Sequence, residues 1–158
     1  MLALTVIALG SLSERYWRDA AAEYQKRMAA FYKFSLIELP EVKLQQSSPA
    51  LIAQALEKEA DAILAKIPPR SRIYALCIEG NTSSSEKLAA ELAEISMEAS
   101  QVVFIIGSSH GLSERVKSAA HRRLSISPMT FPHQLARVML CEQLYRAGSI
   151  ISGGKYHK

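Results

Sequence analysis

The run Gln101-Val-Val-Phe-Ile-Ile106 carries no charge, and every position after Gln101 is apolar. Successive side chains of a strand point to opposite faces. A strand that is apolar on both faces is expected at the centre of a sheet, with helices covering it above and below. Along the rest of the chain, short apolar runs alternate with longer amphipathic stretches, the order of an α/β fold with a mostly parallel sheet and helices on both faces. With 158 residues and 49% hydrophobic content, the chain is sized for a single domain over residues 1–158.

Leu2–Leu9 reads as the first strand. Ser11-x-x-Glu14 has the spacing of a capping box and opens a helix with the stripe Trp17, Ala20, Ala21, Tyr24 and Met28, ending near Ala30. Lys33–Leu39 is the second strand, stopped by Pro40; the polar stretch Glu41–Ser48 is a loop, and Pro49 starts a helix to about Lys66. Arg72–Ile78 is the third strand, and a second box, Ser83-x-x-Glu86, begins a helix with Leu88, Leu92 and Ile95 on one side. After Gln101–Ile106 come the turn Gly107–Gly111, a short helix Leu112–Ala120, a fifth strand His121–Ser125, the loop Ile126–Phe131 and a last helix from about Pro132 to Ile150. The apolar N-terminal run is too short to span a bilayer, and no signal segment, membrane helix or metal-ligand spacing is present, so a cytoplasmic protein without a metal is expected. Cys77 and Cys141, far apart in sequence, read as buried free thiols of a reducing compartment.

Charge is distributed unevenly. Residues 1–106 hold 11 Lys/Arg against 13 Asp/Glu, whereas residues 107–158 hold 8 against 2. The basic part therefore comprises Arg115, Lys117, Arg122, Arg123, Arg137, Arg146, Lys155 and Lys158, a composition that attracts a polyanion, nucleic acid foremost.

In an open α/β sheet, ligands bind beyond the carboxyl ends of the strands. This singles out Leu76–Asn81, Gly107–Gly111 and Ile126–Phe131. Gly107-Ser-Ser-His-Gly111 matches neither the phosphate loop of nucleotide triphosphatases nor the dinucleotide fingerprint, and taken alone it is a tight turn. His110 within it is read as a solvent-exposed turn residue or a ligand contact.

Four blocks occur together: Phe104-Ile-Ile-Gly-x-x-x-Gly-Leu112, Leu124-Ser-Ile-Ser-Pro-Met-Thr-Phe-Pro-His-Gln-Leu-Ala-Arg-Val138, Glu142-Gln-Leu-Tyr-Arg-Ala147 and a terminal Tyr-His-Lys. With these blocks the chain resembles, over its whole length, the ribosomal RNA large-subunit methyltransferase H family of the SPOUT superfamily. The resemblance implies a C-terminal trefoil knot, a homodimer, S-adenosylmethionine (SAM) as methyl donor, and methyl transfer to N3 of a pseudouridine in large-subunit rRNA within the assembled ribosome. It assigns the cofactor to Leu76, Gly107, Ile126, Ser127, Pro128, Met129, Thr130 and Phe131. Two departures stand out: Ser108 where the family usually has a second glycine, expected to narrow the donor pocket slightly, and Lys155 where it often has Pro or Ala, adding charge on the path of the RNA.

A methyl sulfonium is already electrophilic, so the chemistry left to the protein concerns the acceptor imide N3, which must lose a proton. His157 suits a general base at neutral pH, with Tyr156 stacking on or orienting the base. The alternative is that both only position RNA. His133, at the start of the last helix, is read as a cap or an RNA contact, and Arg137, Arg146, Arg122, Arg123 and Lys158 as RNA contacts. Arg137 and Arg146 are expected on opposite sides of the last helix, and Glu142 as the i,i+4 partner of Arg146 rather than a catalytic acid. Competing functions are a non-catalytic ribosome-binding or assembly factor, methyl transfer to tRNA or another rRNA base, and, last, a generic phosphate-binding module.

Overall fold

The computed structural model describes residues 1–158. β4 (Gln101–Ile106) lies at the middle of a five-stranded sheet of order β2-β1-β4-β3-β5, with β1 (Ala3–Leu9), β2 (Lys33–Leu39), β3 (Arg72–Asn81) and β5 (Arg122–Leu124). All neighbouring strands pair in parallel. Its alternate residues enter two separate cores. Val102, Phe104 and Ile106 join Leu4, Val6 and Leu144 on one face, while Val103 and Ile105 join Ile7, Ile63 and Val116 on the other. Each such fully buried side chain contributes about 1.5–3 kcal/mol, which is why a charge-free strand occupies this place.

Helices α1 (Arg15–Met28), α3 (Ser85–Glu98) and α5 (His133–Ile151) cover the first face; α2 (Pro49–Lys66) and α4 (Glu114–Ala119) cover the second. α5 packs against both α1 and α3. The buried Tyr32 hydroxyl donates to Leu144 O at 2.9 Å and Tyr74 stacks on Phe104 with ring centroids 4.7 Å apart. No helix is long and apolar enough to cross a membrane.

Helix starts depart from the expected boxes. Neither Ser11-x-x-Glu14 nor Ser83-x-x-Glu86 closes as a capping box. α1 begins at Arg15 with Glu14 as N-cap and no side-chain cap bond. Its start is instead tied across the fold: Ser13 N donates to Gln134 Oε1 at 3.0 Å, and Arg18 donates to Leu12 O and Ser13 O. α3 is capped by Ser84, whose hydroxyl accepts from Lys87 N at 3.1 Å, one residue later than the box predicts. α2 follows its expected Ser48-Pro49 start, with the Ser48 hydroxyl accepting from Leu51 N.

β3 also runs further than predicted. Leu76 and Asn81 both pair with Leu124 of β5, so residues 77–80 form a bulge between two points of contact. That bulge lifts Cys77, Ile78 and Glu79 off the sheet at its carboxyl end, where they become one wall of a cavity.

Candidate active site

The turns after β3, β4 and β5 enclose a cavity of about 450 Å³, within the usual size range of small-molecule sites. Of the predicted cofactor positions, Leu76, Gly107, Ile126, Ser127, Met129, Thr130 and Phe131 line it. Pro128 does not; it is exposed on the outer side of its loop.

The Gly107–Gly111 turn is tightly built. A Cβ on Gly107 would lie 2.3 Å from Gly111 O, so only hydrogen fits. Gly111 has φ +85, the left-handed region that favours glycine, and its N–H donates to Ser108 O at 2.9 Å. Two carboxylates fasten the turn from outside. Ser108 Oγ donates to Glu59 Oε1 at 2.9 Å, and Ser109 Oγ donates to Glu41 Oε1 at 3.0 Å. Ser108 itself lines the cavity, with its hydroxyl engaged by Glu59 of α2. Glu59 and Glu41 went unnoticed in the sequence, where a mid-helix and a loop glutamate carry no signal of this kind.

The opposite wall, Ser125–Phe131, is held by Ser125 Oγ donating to Ser127 O and Met129 N donating to Ser127 Oγ. Ile78, Ile126 and Met129 expose 54%, 36% and 72% of their surface beside the opening, an apolar rim without a partner in this chain. Lys117 on the wall is ion-paired to Glu79. Burial lowers the Lys117 pKa, but the hydrogen bond and charge of Glu79 outweigh it and raise it, while the same hydrogen bond lowers that of Glu79. Cys77 is half-buried and Cys141 buried; burial raises both thiol pKa values, that of Cys141 to about 11. Both thiols are thus poor nucleophiles at neutral pH.

His110 is exposed at the rim. His133 is half-buried, also faces the cavity, and does not cap α5, whose N-cap is Pro132 with no side-chain bond.

The tail is folded back on its own subunit, and no residue of 152–158 lines the cavity. Tyr156 donates to Glu142 Oε1 at 3.1 Å, its ring lies 4.7 Å from that of Tyr145, and the Arg146 guanidinium sits 4.7 Å above it. Burial, then Glu142 and Tyr24, push the phenol pKa up to about 12. His157 places Nδ1 at 3.2 Å from Arg146 Nη1 and Nε2 at 2.7 Å from Glu86 Oε1. Arginine only donates, so Nδ1 accepts and Nε2 carries the proton given to Glu86. In this pose the imidazole has no free lone pair. The two tail residues expected to act on the acceptor base therefore lie away from the cavity in this chain: their polar groups are satisfied by α3 and α5 instead. Glu142 is the i,i+4 partner of Arg146, as read from the sequence.

A second cavity of about 500 Å³ shares Leu124, Ser125 and Ile126 with the first and reaches Ser85, Glu142 and Gln143. It thus extends from the donor-side turns to the residues that hold the tail.

The predicted basic face is largely neutralised. Arg115 pairs with Glu57 and Asp61, Lys117 with Glu79, Arg122 with Glu91, Arg123 with Glu114, Arg137 with Glu38, and Arg146 with Glu142. Lys155 and Lys158 make no ion pair. Arg137 is overturned as an RNA contact: it is 1% exposed, and donates to Glu38 Oε2 at 2.5 Å and to Gly10 O at 2.8 Å. As predicted, Arg146 faces elsewhere, towards the tail. Arg122 is 22% exposed along its side chain and committed to Glu91, so it too presents little to an outside ligand.

A family model described as "Predicted SPOUT methyltransferase" matches residues 2–157. Among solved structures, the fold is similar to a "Probable Methyltransferase" from Bordetella pertussis Tohama I, at 18% identity and TM-score 0.56, covering 93% of this chain and 95% of that one. It is also similar to a methylase family protein from Neisseria gonorrhoeae, at 16% identity and TM-score 0.53, covering 91% and 82%. A SpoU methyltransferase from Streptomyces viridochromogenes, in complex with the cofactor AdoMet, aligns at 13% identity and TM-score 0.46, over 97% of this chain and 59% of that one.

Proposed function

Because this chain belongs to the SPOUT methyltransferase family, we propose that it transfers a methyl group from SAM to N3 of a pseudouridine in large-subunit ribosomal RNA, acting in the cytoplasm as a homodimer on the assembled ribosome. The family depends on SAM, and the residues present suit it. Gly107 lets the turn close against Gly111 at the cavity wall, Leu76, Ile126, Met129 and Phe131 supply apolar surface, and the volume suits a nucleoside-sized ligand. The turns after β4 and β5 are read as the knotted region, where the family sets aside the rule against threaded chains. The observation that carries the proposal is the convergence of three separated turns on one cavity, beside a second lined in part by Glu142, the acceptor of the Tyr156 hydroxyl.

When bound, SAM supplies a methyl sulfonium, an electrophile that needs no metal to activate it; no cluster of residues able to hold a metal is present. The protein's own part is to bind and orient the donor, hold the acceptor base in the adjoining cavity, and take up the N3 proton. His157 is the proposed base. It becomes one only when the tail leaves Arg146 and Glu86, freeing Nδ1. The released tail would then serve a neighbouring subunit's site, and the exposed apolar rim of Ile78 and Met129 supports such a dimer. Phosphate contacts then fall to Lys155, Lys158 and His133, with Arg123 and Arg146 joining only by giving up Glu114 and Glu142, and recognition rests on the shape of the ribosomal substrate.

Calorimetry with SAM should show binding, and mass spectrometry of rRNA incubated with enzyme and SAM should show one methylated pseudouridine on ribosomes and almost none on naked rRNA. Efficient methylation of a short free stem-loop would overturn the ribosomal reading. His157→Ala is expected to slow single-turnover methylation about 100-fold, the low end for a general base. An unchanged rate removes it from that role.

A further inference from the structure

Glu59 is the only acidic side chain buried in this protein, at 4% exposure, and it makes no ion pair. It stands directly behind the Gly107–Gly111 turn, where Oε1 accepts from Ser108 Oγ and Oε2 from Val42 N, each at 2.9 Å. Both oxygens serve as acceptors, and a carboxylate, which can only accept, satisfies both contacts. A buried charge without a counter-ion destabilises a fold unless something compensates it. No cation of the cavity wall does so: Lys117 is shared between Glu79 and Glu114. Ser108, which touches the carboxylate, is itself a lining residue, so one residue stands between Glu59 and the ligand space.

We infer that Glu59 determines ligand preference, drawing the cationic donor into the cavity ahead of the neutral thioether that remains after methyl transfer. This rests on the reading of the cavity as a SAM site. SAM and S-adenosylhomocysteine share their adenosine and amino-acid parts and differ only in one methyl group and the sulfonium charge. Any effect of Glu59 on the shared carboxylate and ammonium is common to both. Its attraction for sulfur acts on the donor alone, because a fixed charge in a low-dielectric surrounding distinguishes charged from neutral ligands of one shape.

The test is calorimetry on the full-length protein with each ligand. Glu59→Gln keeps the shape and removes the charge. It is expected to raise the Kd for SAM about tenfold, the scale of one charge–charge interaction across about 12 Å at an effective dielectric of about 20, while the Kd for S-adenosylhomocysteine changes less than about twofold. Equal weakening of both ligands would mean that Glu59 only scaffolds the turn, and would overturn the inference. Ser108→Ala retains the charge and is expected to retain the preference; its loss there would count equally against it. Should Glu59→Gln not fold, the double variant Glu59→Leu with Ser108→Ala removes charge and hydroxyl together and carries the same expectation. Failure of the wild-type protein to bind either ligand overturns the SAM site itself, a different result from binding with an unaltered preference.

Discussion

Substituting alanine at Gly107 should abolish donor binding, raising the Kd for SAM at least about 100-fold, or about 2.7 kcal/mol. The added Cβ would lie 2.3 Å from Gly111 O and 2.6 Å from Gly111 C, and these are backbone atoms that no side-chain rotation can move aside. Overpacking of this kind costs about 1–3 kcal/mol in a core. Here the turn can relieve it only by swinging away from β4, which opens the Ser108–Gly111 bridge and moves one wall of the cavity. Gly111→Ala is the informative companion. Nothing lies within 4 Å of its Cβ, so its cost is the φ of +85 alone, about 1–2 kcal/mol. Calorimetry should show a few-fold loss there. Equal effects at the two glycines would mean that backbone conformation, not lack of space, governs the turn.

Arg137→Ala should lower stability by about 3 kcal/mol, since it removes a large, fully packed side chain and leaves the Gly10 carbonyl without its donor. In a chain of this size that is a fall in Tm of roughly 10 °C. The residue is 1% exposed, yet it joins α5 to the ends of two strands, giving one nitrogen to Glu38 and another to Gly10 O. Glu38, with 42% of its side chain exposed, can turn to water; Gly10 O would be left without its donor. Arg137→Lys should recover less than half, because an ammonium cannot present the same fork. Thermal melts measure this directly. Unaltered stability with weaker ribosome binding would instead return Arg137 to the RNA surface.

Elements whose ends carry strong local signals were legible in the sequence. β2, β4 and α2 have the predicted bounds, set by Pro40, by Gly107 and by Ser48-Pro49. Where a boundary depends on a distant partner, local pattern failed. Ser11-x-x-Glu14 has the right letters, but Gln134 takes Ser13 and the helix starts at Arg15. The bulge at residues 77–80 is invisible because an apolar run does not record which of its residues leave the ladder. Of the positions that the resemblance assigns to the cofactor, all but Pro128 line the cavity, while Gly80 and Asn81 of the strand-end segment lie outside it. Charge was read by segment, and that reading misled. The acids that meet Arg137, Arg115 and Arg122 lie 99, 54 and 31 residues away. Tail placement was likewise beyond reach, since nothing local announces that Tyr156 and His157 will find Glu142 and Glu86.

The ion pairing of the C-terminal third has a thermodynamic corollary. A cation already matched to an internal carboxylate displaces few of the sodium or potassium ions condensed along a nucleic acid. If only Lys155 and Lys158 act as unshared charges, this region contributes a slope of about −2 per subunit to a plot of log K against log salt, where eight free cations would give about −6 to −7. Association would then tolerate ionic strength well and discriminate poorly among polyanions by charge density, leaving the contour of the folded target to decide where the protein settles.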